Sequence, residues 1–230
     1  GDLYPLYWSE GDQVAVNGVA STALTASEAG SSVTAFSFGS ELEYPYNVVY
    51  PAPAEGVTPA TEGLQVVTFL AAQSYVEGTF CSGAAPMYGY ATAPAEGDET
   101  HSIQLNHLAG VLRFAPIGEG VTLTSLTVQS ENGSIAGNFD LDCTNGTLTA
   151  HDNATNQVTL SFGEGLKLGA EATPIYVAVP AGSYGTFVIT LHTANDKMTV
   201  KFDSDAKPVN AGTVREFAPF TYAANEGDGE

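Results

Sequence analysis

Four histidines are the residues best suited to metal or acid–base chemistry, namely His101, His107, His151 and His192. None of them stands in the HExxH or paired-histidine spacing that a zinc enzyme uses. His107 opens an apolar predicted strand, where a structural histidine is expected. No G-x-S-x-G motif is present, and neither a P-loop nor a G-x-G-x-x-G precedes a helix. The sequence therefore predicts no enzyme, no metal and no cofactor.

Several aspartates are so closely spaced that they could offer oxygen ligands to calcium: Asp140, Asp142, Asp152, Asp203 and Asp205. None of these aspartates matches the D-x-[DN]-x-[DN]-G loop. Isolated acidic pairs are expected by chance in a chain this acidic, so they predict no calcium site.

Aromatic residues beside carboxylates are common in the first half of the chain, and this composition suits contact with sugar rings. The candidate ligand aromatics are Trp8, Tyr44, Tyr46, Tyr50, Tyr88 and Tyr90. The competing interpretation is that these rings fill a core and that each hydroxyl reaches the rim.

Charge excludes some partners. The chain of 230 residues has 26 Asp and Glu but only six Lys and Arg, giving a net charge of −20. Nucleic acid is excluded as a partner, because binding it requires a basic patch. Residues 1–112 contain no Lys or Arg at all. Such acidity suits solubility at a crowded surface.

Strands dominate the predicted structure, because apolar and polar residues alternate over short stretches. Residues 185–192 and 197–203 alternate on either side of 193–196, which predicts a hairpin. A phase slip at Thr124 and Ser125 predicts a bulge within the strand 121–128. Other strands are predicted at 14–16, 33–38, 47–50, 64–70, 87–91, 108–117, 135–141, 157–162, 175–179 and 213–222.

Domain boundaries follow from length and loop composition. The small, acidic, turn-rich segment 93–100 is typical of a linker between compact units. It predicts an N-terminal β-sandwich domain over 1–100, a C-terminal one over 101–225 and a disordered tail over 226–230. Cys81 and Cys143 are predicted to lie in different domains as free thiols.

Seven segments together resemble the fimbrillin-like surface proteins of Bacteroidetes, which are relatives of type V pilins. The segments are YWSEGDQVAVNG at 7–18, YPYNVVYPA at 44–52, AQSYVEGTF at 72–80, AAPM at 84–87, HLAGVLRF at 107–114, IAGNF at 135–139 and YVAVPAGSY at 176–184. The resemblance spans almost the whole chain, and it rests on the order and spacing of these pieces.

This resemblance implies two tandem transthyretin-like (Greek-key) β-sandwiches, exported as a lipoprotein and displayed on the outer membrane. It implies a structural or adhesive subunit of a fimbria, as stalk, anchor or tip, whose partners are other fimbrial subunits. Such subunits join when a strand of one completes the sheet of the next. The candidate exchange residues lie in the last predicted strand: Thr213, Val214, Phe217, Phe220 and Tyr222.

Stalk pilins of this family are activated by a trypsin-like protease that releases an N-terminal strand. Because no Lys or Arg precedes Arg113, that cut is not expected within the N-terminal domain. An alternative function therefore stays open, namely a surface adhesin that binds host glycan or protein without polymerising. A third is an accessory domain of a glycan-degrading system.

Overall fold

The computed structural model describes residues 7–93, 102–203 and 207–224, and these residues form strands, turns and loops. In chain order the strands are β1 Ala15–Val16, β2 Val19–Ala20, β3 Tyr46–Tyr50, β4 Gln65–Phe69, β5 Ala72–Ser74, β6 Met87–Ala91, β7 Asn106–His107, β8 Ala109–Phe114, β9 Pro116–Ile117, β10 Thr122–Ser130, β11 Gly137–Asp142, β12 Thr147–Ala150, β13 Gln157–Lys167, β14 Ile175–Pro180, β15 Thr186–His192, β16 Lys197–Asp203, β17 Val214–Glu216 and β18 Phe220–Thr221. The predicted all-β class is confirmed, whereas the transthyretin-like topology stays a prediction. The described residues hold no helix of the length and hydrophobicity needed to cross a membrane.

The chain divides into two compact units. Unit 1 comprises Gly1–Thr68, Pro86–Asn106 and Phe139–His151, and unit 2 comprises Phe69–Ala85, His107–Asn138 and Asp152–Glu230. The predicted linker lies almost wholly in 94–101, outside the described residues, and both units draw segments from either side of it. Cys143 accordingly falls in unit 1 and Cys81 in unit 2, both as free thiols. The predicted tail 226–230 also lies outside the described residues.

Unit 1 contains a five-stranded sheet in the order β2-β1-β3-β6-β7 and a three-stranded sheet in the order β12-β11-β4. Asn17 and Gly18 have φ angles of 50° and 82°, which close the β1–β2 hairpin as the Asn-Gly pair predicts. Val16, Val48 and Tyr50 form a small buried core together with Val14.

Unit 2 holds the larger core. Its five-stranded sheet has the order β16-β15-β10-β13-β5, and a three-stranded sheet has the order β14-β8-β17, with β18 beside β9. Alternation on β10 and β15 buries Leu126, Val128 and Ile189 and leaves hydroxyl residues outward. The register of β10 against β13 shifts between Leu123 and Ser125, which confirms the predicted bulge.

One predicted strand is absent: residues 33–38 form no strand. Phe36 and Phe38 alternate inward and pack against the core of unit 1. The N–H of Thr22 donates to the Ser37 carbonyl at 2.8 Å. The alternation of apolar residues at 33–38 therefore reflects burial of one side of an irregular segment that forms no ladder of main-chain hydrogen bonds.

Candidate functional site

The 213–222 segment attaches to unit 2 as two parallel strand additions. β17 pairs with β8, with Val214 opposite Val111 and Glu216 opposite Arg113, and β18 pairs with β9. The Phe217 N–H donates to the Arg113 carbonyl at 3.0 Å, and the Tyr222 N–H to the Ile117 carbonyl at 2.7 Å. Main-chain hydrogen bonds therefore hold the segment from Thr213 to Tyr222.

Phe217 anchors this segment in the core of unit 2. Its ring is 8% exposed and stacks on Phe114 at 4.9 Å between centroids, with an interplanar angle of 13°. Phe202 lies 4.8 Å from Phe217 and 5.5 Å from Phe220. The aromatic cluster therefore includes two rings of the segment and two of the body of unit 2.

Two charged residues of the segment, Arg215 and Glu216, also contact the rest of unit 2. The Arg215 guanidinium lies 4.9 Å from the centroid of Phe217 and donates to the Lys207 carbonyl. Partial burial lowers the pKa of Arg215. Arg113 and Glu216 form an ion pair at 3.4 Å. Sequence patterns gave no indication of either role, although Arg113 and Arg215 are the only arginines in the chain.

The five candidate exchange residues differ in burial. Phe217 is buried, Val214, Phe220 and Tyr222 are half-buried, and Thr213 is exposed. The segment is well anchored on its own unit, so any exchange must replace these contacts in a second copy.

The six candidate ligand aromatics do not gather on one surface. Trp8 packs edge-on against Phe36 and against Tyr50, whose hydroxyl donates to Asp12 at 3.0 Å. Tyr50 belongs to the small core, and Tyr46 packs against it.

Tyr88 and Tyr90 lie on β6, where they pair with Val49 and Asn47 of β3. Tyr46 and Tyr50 occupy the alternate positions of β3. Tyr88 and Tyr90 therefore project from the other face of that sheet. A Cβ at Gly146 would lie 2.5 Å from the Tyr88 hydroxyl, so this ring covers the β11–β12 turn. Tyr90 is 39% exposed.

Tyr44 stacks on Tyr46 with centroids 3.9 Å apart. Burial and the hydrogen bond to Tyr46 raise the pKa of Tyr44 to about 12. Both rings are half-buried, so their stacking supports local structure and leaves only part of each face open to a ligand.

A buried polar network in unit 1 involves Asp140, which the sequence offered only as a calcium candidate. Asp140 is 2% exposed and lies 2.6 Å from His151 Nε2. It also accepts the Ala60 N–H at 2.8 Å. Burial acts to raise the pKa of Asp140, but hydrogen bonds from His151, Thr61 and Ala60 outweigh it and hold the pKa below its usual value. Asp140 thus ties the 51–64 loop to β11.

Replacing Asp140 by asparagine is expected to destabilise the protein at pH 7 by about 3 kcal/mol, because a buried hydrogen-bonded carboxylate loses its charge. The folded pKa lies below the unfolded value of about 3.9, so the contribution is present above that pH and is lost as pH falls through the folded pKa. Urea unfolding between pH 2 and 7 should show the wild type and Asp140→Asn converging at low pH. Asp152→Asn, at an exposed site, is the control; equal pH dependence of the two variants would contradict the assignment.

Within the described ranges, no three His, Cys, Asp or Glu side chains come together as a metal site would require. Asp142 is engaged by the hydroxyl and N–H of Thr144 and by Asn145. Burial, helped by Asp142, raises the pKa of the Cys143 thiol to about 12, which makes it a poor nucleophile.

No family model matches the chain, and no curated protein matches it in sequence. Solved structures do resemble it, and three of them carry the name "putative cell adhesion protein". The structure from Bacteroides uniformis has a TM-score of 0.56 and 13% identity over 94% of this chain and 89% of its own. Those from Bacteroides ovatus and Bacteroides fragilis have TM-scores of 0.54 and 0.51, with 14% and 9% identity over 93% and 95% of this chain and 83% and 82% of their own. The chain shares the fold of these Bacteroides proteins over nearly its whole length.

Proposed function

We propose that the chain is a structural or adhesive cell-surface subunit of a fimbria or pilus, and that copies assemble by exchanging the 213–222 segment. The observation that carries this proposal is the parallel addition of β17 to β8, with Phe217 inserted into the core of unit 2. Peptides are often recognised in this way: the peptide adds a strand to a sheet edge through main-chain hydrogen bonds, and every second side chain enters a pocket. The proposed role is non-catalytic.

The aromatic cluster supports exchange of the segment over its simple release. If the segment left without a replacement, Phe114 and Phe202 would lose the ring of Phe217 and face water. The same segment from a second copy would restore every contact. The free-energy difference between the segment bound to its own copy and the segment bound to a second copy then depends mainly on the connecting chain and on the protein concentration.

The connection into β17 has a residue suited to act as a hinge. Val209 is fixed by two main-chain bonds with Gly182. Gly212 then turns the chain with a φ of 68°, a conformation that costs other residues more. Rotation between these two points would direct the segment either onto its own β8 or away from it.

Surface display is supported by the shared fold and by the net charge of −20. Anchoring at the outer membrane as a lipoprotein is proposed on the family resemblance. All six Lys and Arg fall in unit 2, so unit 1 offers a trypsin-like protease no cleavage site. Activation through cleavage in unit 1 is therefore not part of the proposal, which covers the roles of stalk, anchor and tip alike.

Immunogold electron microscopy on the native cells tests this function. Label arranged along filaments is the expected result. Diffuse label over the cell surface would favour the non-polymerising adhesin, and label confined to the cell interior would overturn both.

A further inference from the structure

The outward face of the five-stranded sheet of unit 2 carries hydroxyl and amide groups in cross-strand rows. One row joins Thr159, Thr127, Thr190 and Thr199 across β13, β10, β15 and β16, and a neighbouring row joins Gln157, Gln129, Val188 and Lys201. The Thr190 and Thr199 hydroxyls lie 3.2 Å apart. Both rows lack carboxylates, although the chain contains 26.

At one end of this face the surface sinks into a depression of about 430 Å³. Its lining includes Gln129, Val188 and Lys201 of one row, together with the carboxylates Glu131 and Asp203. Its volume lies within the range of small-molecule sites. Val188 gives the lining an apolar patch among polar groups.

The two carboxylates are held in place by Thr186. The Thr186 N–H donates to Glu131 at 3.1 Å, and its hydroxyl donates to Asp203 at 3.4 Å. On the β13 side, the Asn156 amide donates to the Ser130 carbonyl at 2.9 Å. Polar groups fixed in this way need little reordering when a ligand binds.

Donors and acceptors of several kinds therefore converge on one open depression. Carboxylates accept hydrogen bonds, an ammonium group donates them, and side-chain amides do both. This mixture matches a ligand whose neighbouring hydroxyls each donate and accept, with an apolar C–H face directed to Val188. We infer that this depression of unit 2, between β10, β15 and β16, is a binding site for uncharged sugar.

The charges of the lining select among sugars. Glu131 and Asp203 outnumber Lys201 in the depression, and the whole chain is strongly negative. Sialylated, sulfated and uronic sugars would meet repulsion both at the site and during approach. Terminal hexose units without charge would meet no such electrostatic repulsion. The inference rests on the proposed function only in treating the ligand as a surface glycan.

Binding of the full chain to an array of uncharged hexose oligosaccharides, with sialylated and sulfated counterparts, tests this site. The expected result is retention on uncharged glycans and weaker retention on their anionic counterparts. Gln129→Ala and Asn156→Ala should each weaken binding to the best glycan about tenfold in calorimetry, the effect of one lost hydrogen bond. Thermal melting verifies that each variant folds.

Gln157→Ala is the matched control, because Gln157 pairs with Gln129 on the same row but lies outside the lining. Its affinity should equal that of the wild type. Absence of binding to uncharged glycans, preference for anionic ones, or equal losses in all three variants would overturn the inference. None of these results bears on the exchange of the 213–222 segment, which is measured separately.

Discussion

Replacing Phe217 by alanine is expected to lower the free energy of unfolding by about 3 kcal/mol, near the lower end of the range for phenylalanine in a packed core. The ring is 8% exposed and touches Phe114 and Phe202. Its loss leaves a cavity and also removes the surface over which the Arg215 guanidinium lies. Urea denaturation followed by circular dichroism measures the change.

Phe220→Ala supplies the comparison for this prediction. Phe220 is half-buried and contacts Phe202 at the margin of the cluster. Its replacement should cost about 1 kcal/mol, because less apolar surface is lost. If the two variants lost stability equally, Phe217 would not be the anchor of the segment.

A fragment of residues 102–224 is expected not to fold, although it contains nearly all of the predicted C-terminal domain. It lacks 69–85, which provides β5 beside β13 and the ring of Tyr75 against Phe162. It also lacks Gln73, whose side chain bonds to both main-chain groups of Ala178, at 2.7 Å and 3.2 Å. The loss of these contacts should remove much of the free energy of unfolding of a domain, which is typically about 5–15 kcal/mol.

Appending residues 69–85 to that fragment through a flexible linker should restore a cooperative thermal transition and dispersed amide resonances. The same fusion with Gln73→Ala should be markedly less stable, because two buried main-chain groups of Ala178 lose their partners. A cooperative transition in the fragment alone would show that unit 2 does not need the 69–85 segment.

Local signals explain which parts of the fold were predictable. Alternation located β10, β15 and β16, and an Asn-Gly pair lies in each of the β1–β2 and β11–β12 turns, at 17–18 and 145–146. Each signal is contained within a few residues. β5 was not predicted, because its three residues pair in parallel with β13, far along the chain. Each unit is built from three separate stretches of the chain. This arrangement depends on long-range pairing, so it cannot be predicted from the composition of a linker.

The candidate site was only partly predictable. The apolar alternation of 213–222 identified Phe217, but the attachment of Arg215 and Glu216 depends on β8 and on the Phe217 ring. Asp140 was considered as a calcium ligand because its sequence neighbours are acidic. Its hydrogen-bond partners His151 and Ala60 lie 11 and 80 residues away in the chain. The polar depression has no sequence signature, because three strands and a loop contribute to it.

The most direct test of strand exchange is a disulfide between two copies. Arg113 on β8 and Glu216 on β17 are paired residues of neighbouring strands, a spacing that a disulfide can bridge. An Arg113→Cys chain and a differently tagged Glu216→Cys chain are mixed under mild oxidation. The double variant in one chain verifies the geometry, and Arg113→Cys mixed with Thr199→Cys measures background from Cys81 and Cys143. We predict covalent heterodimers well above that background; heterodimers at background level, with the internal disulfide of the double variant intact, would contradict exchange of the 213–222 segment.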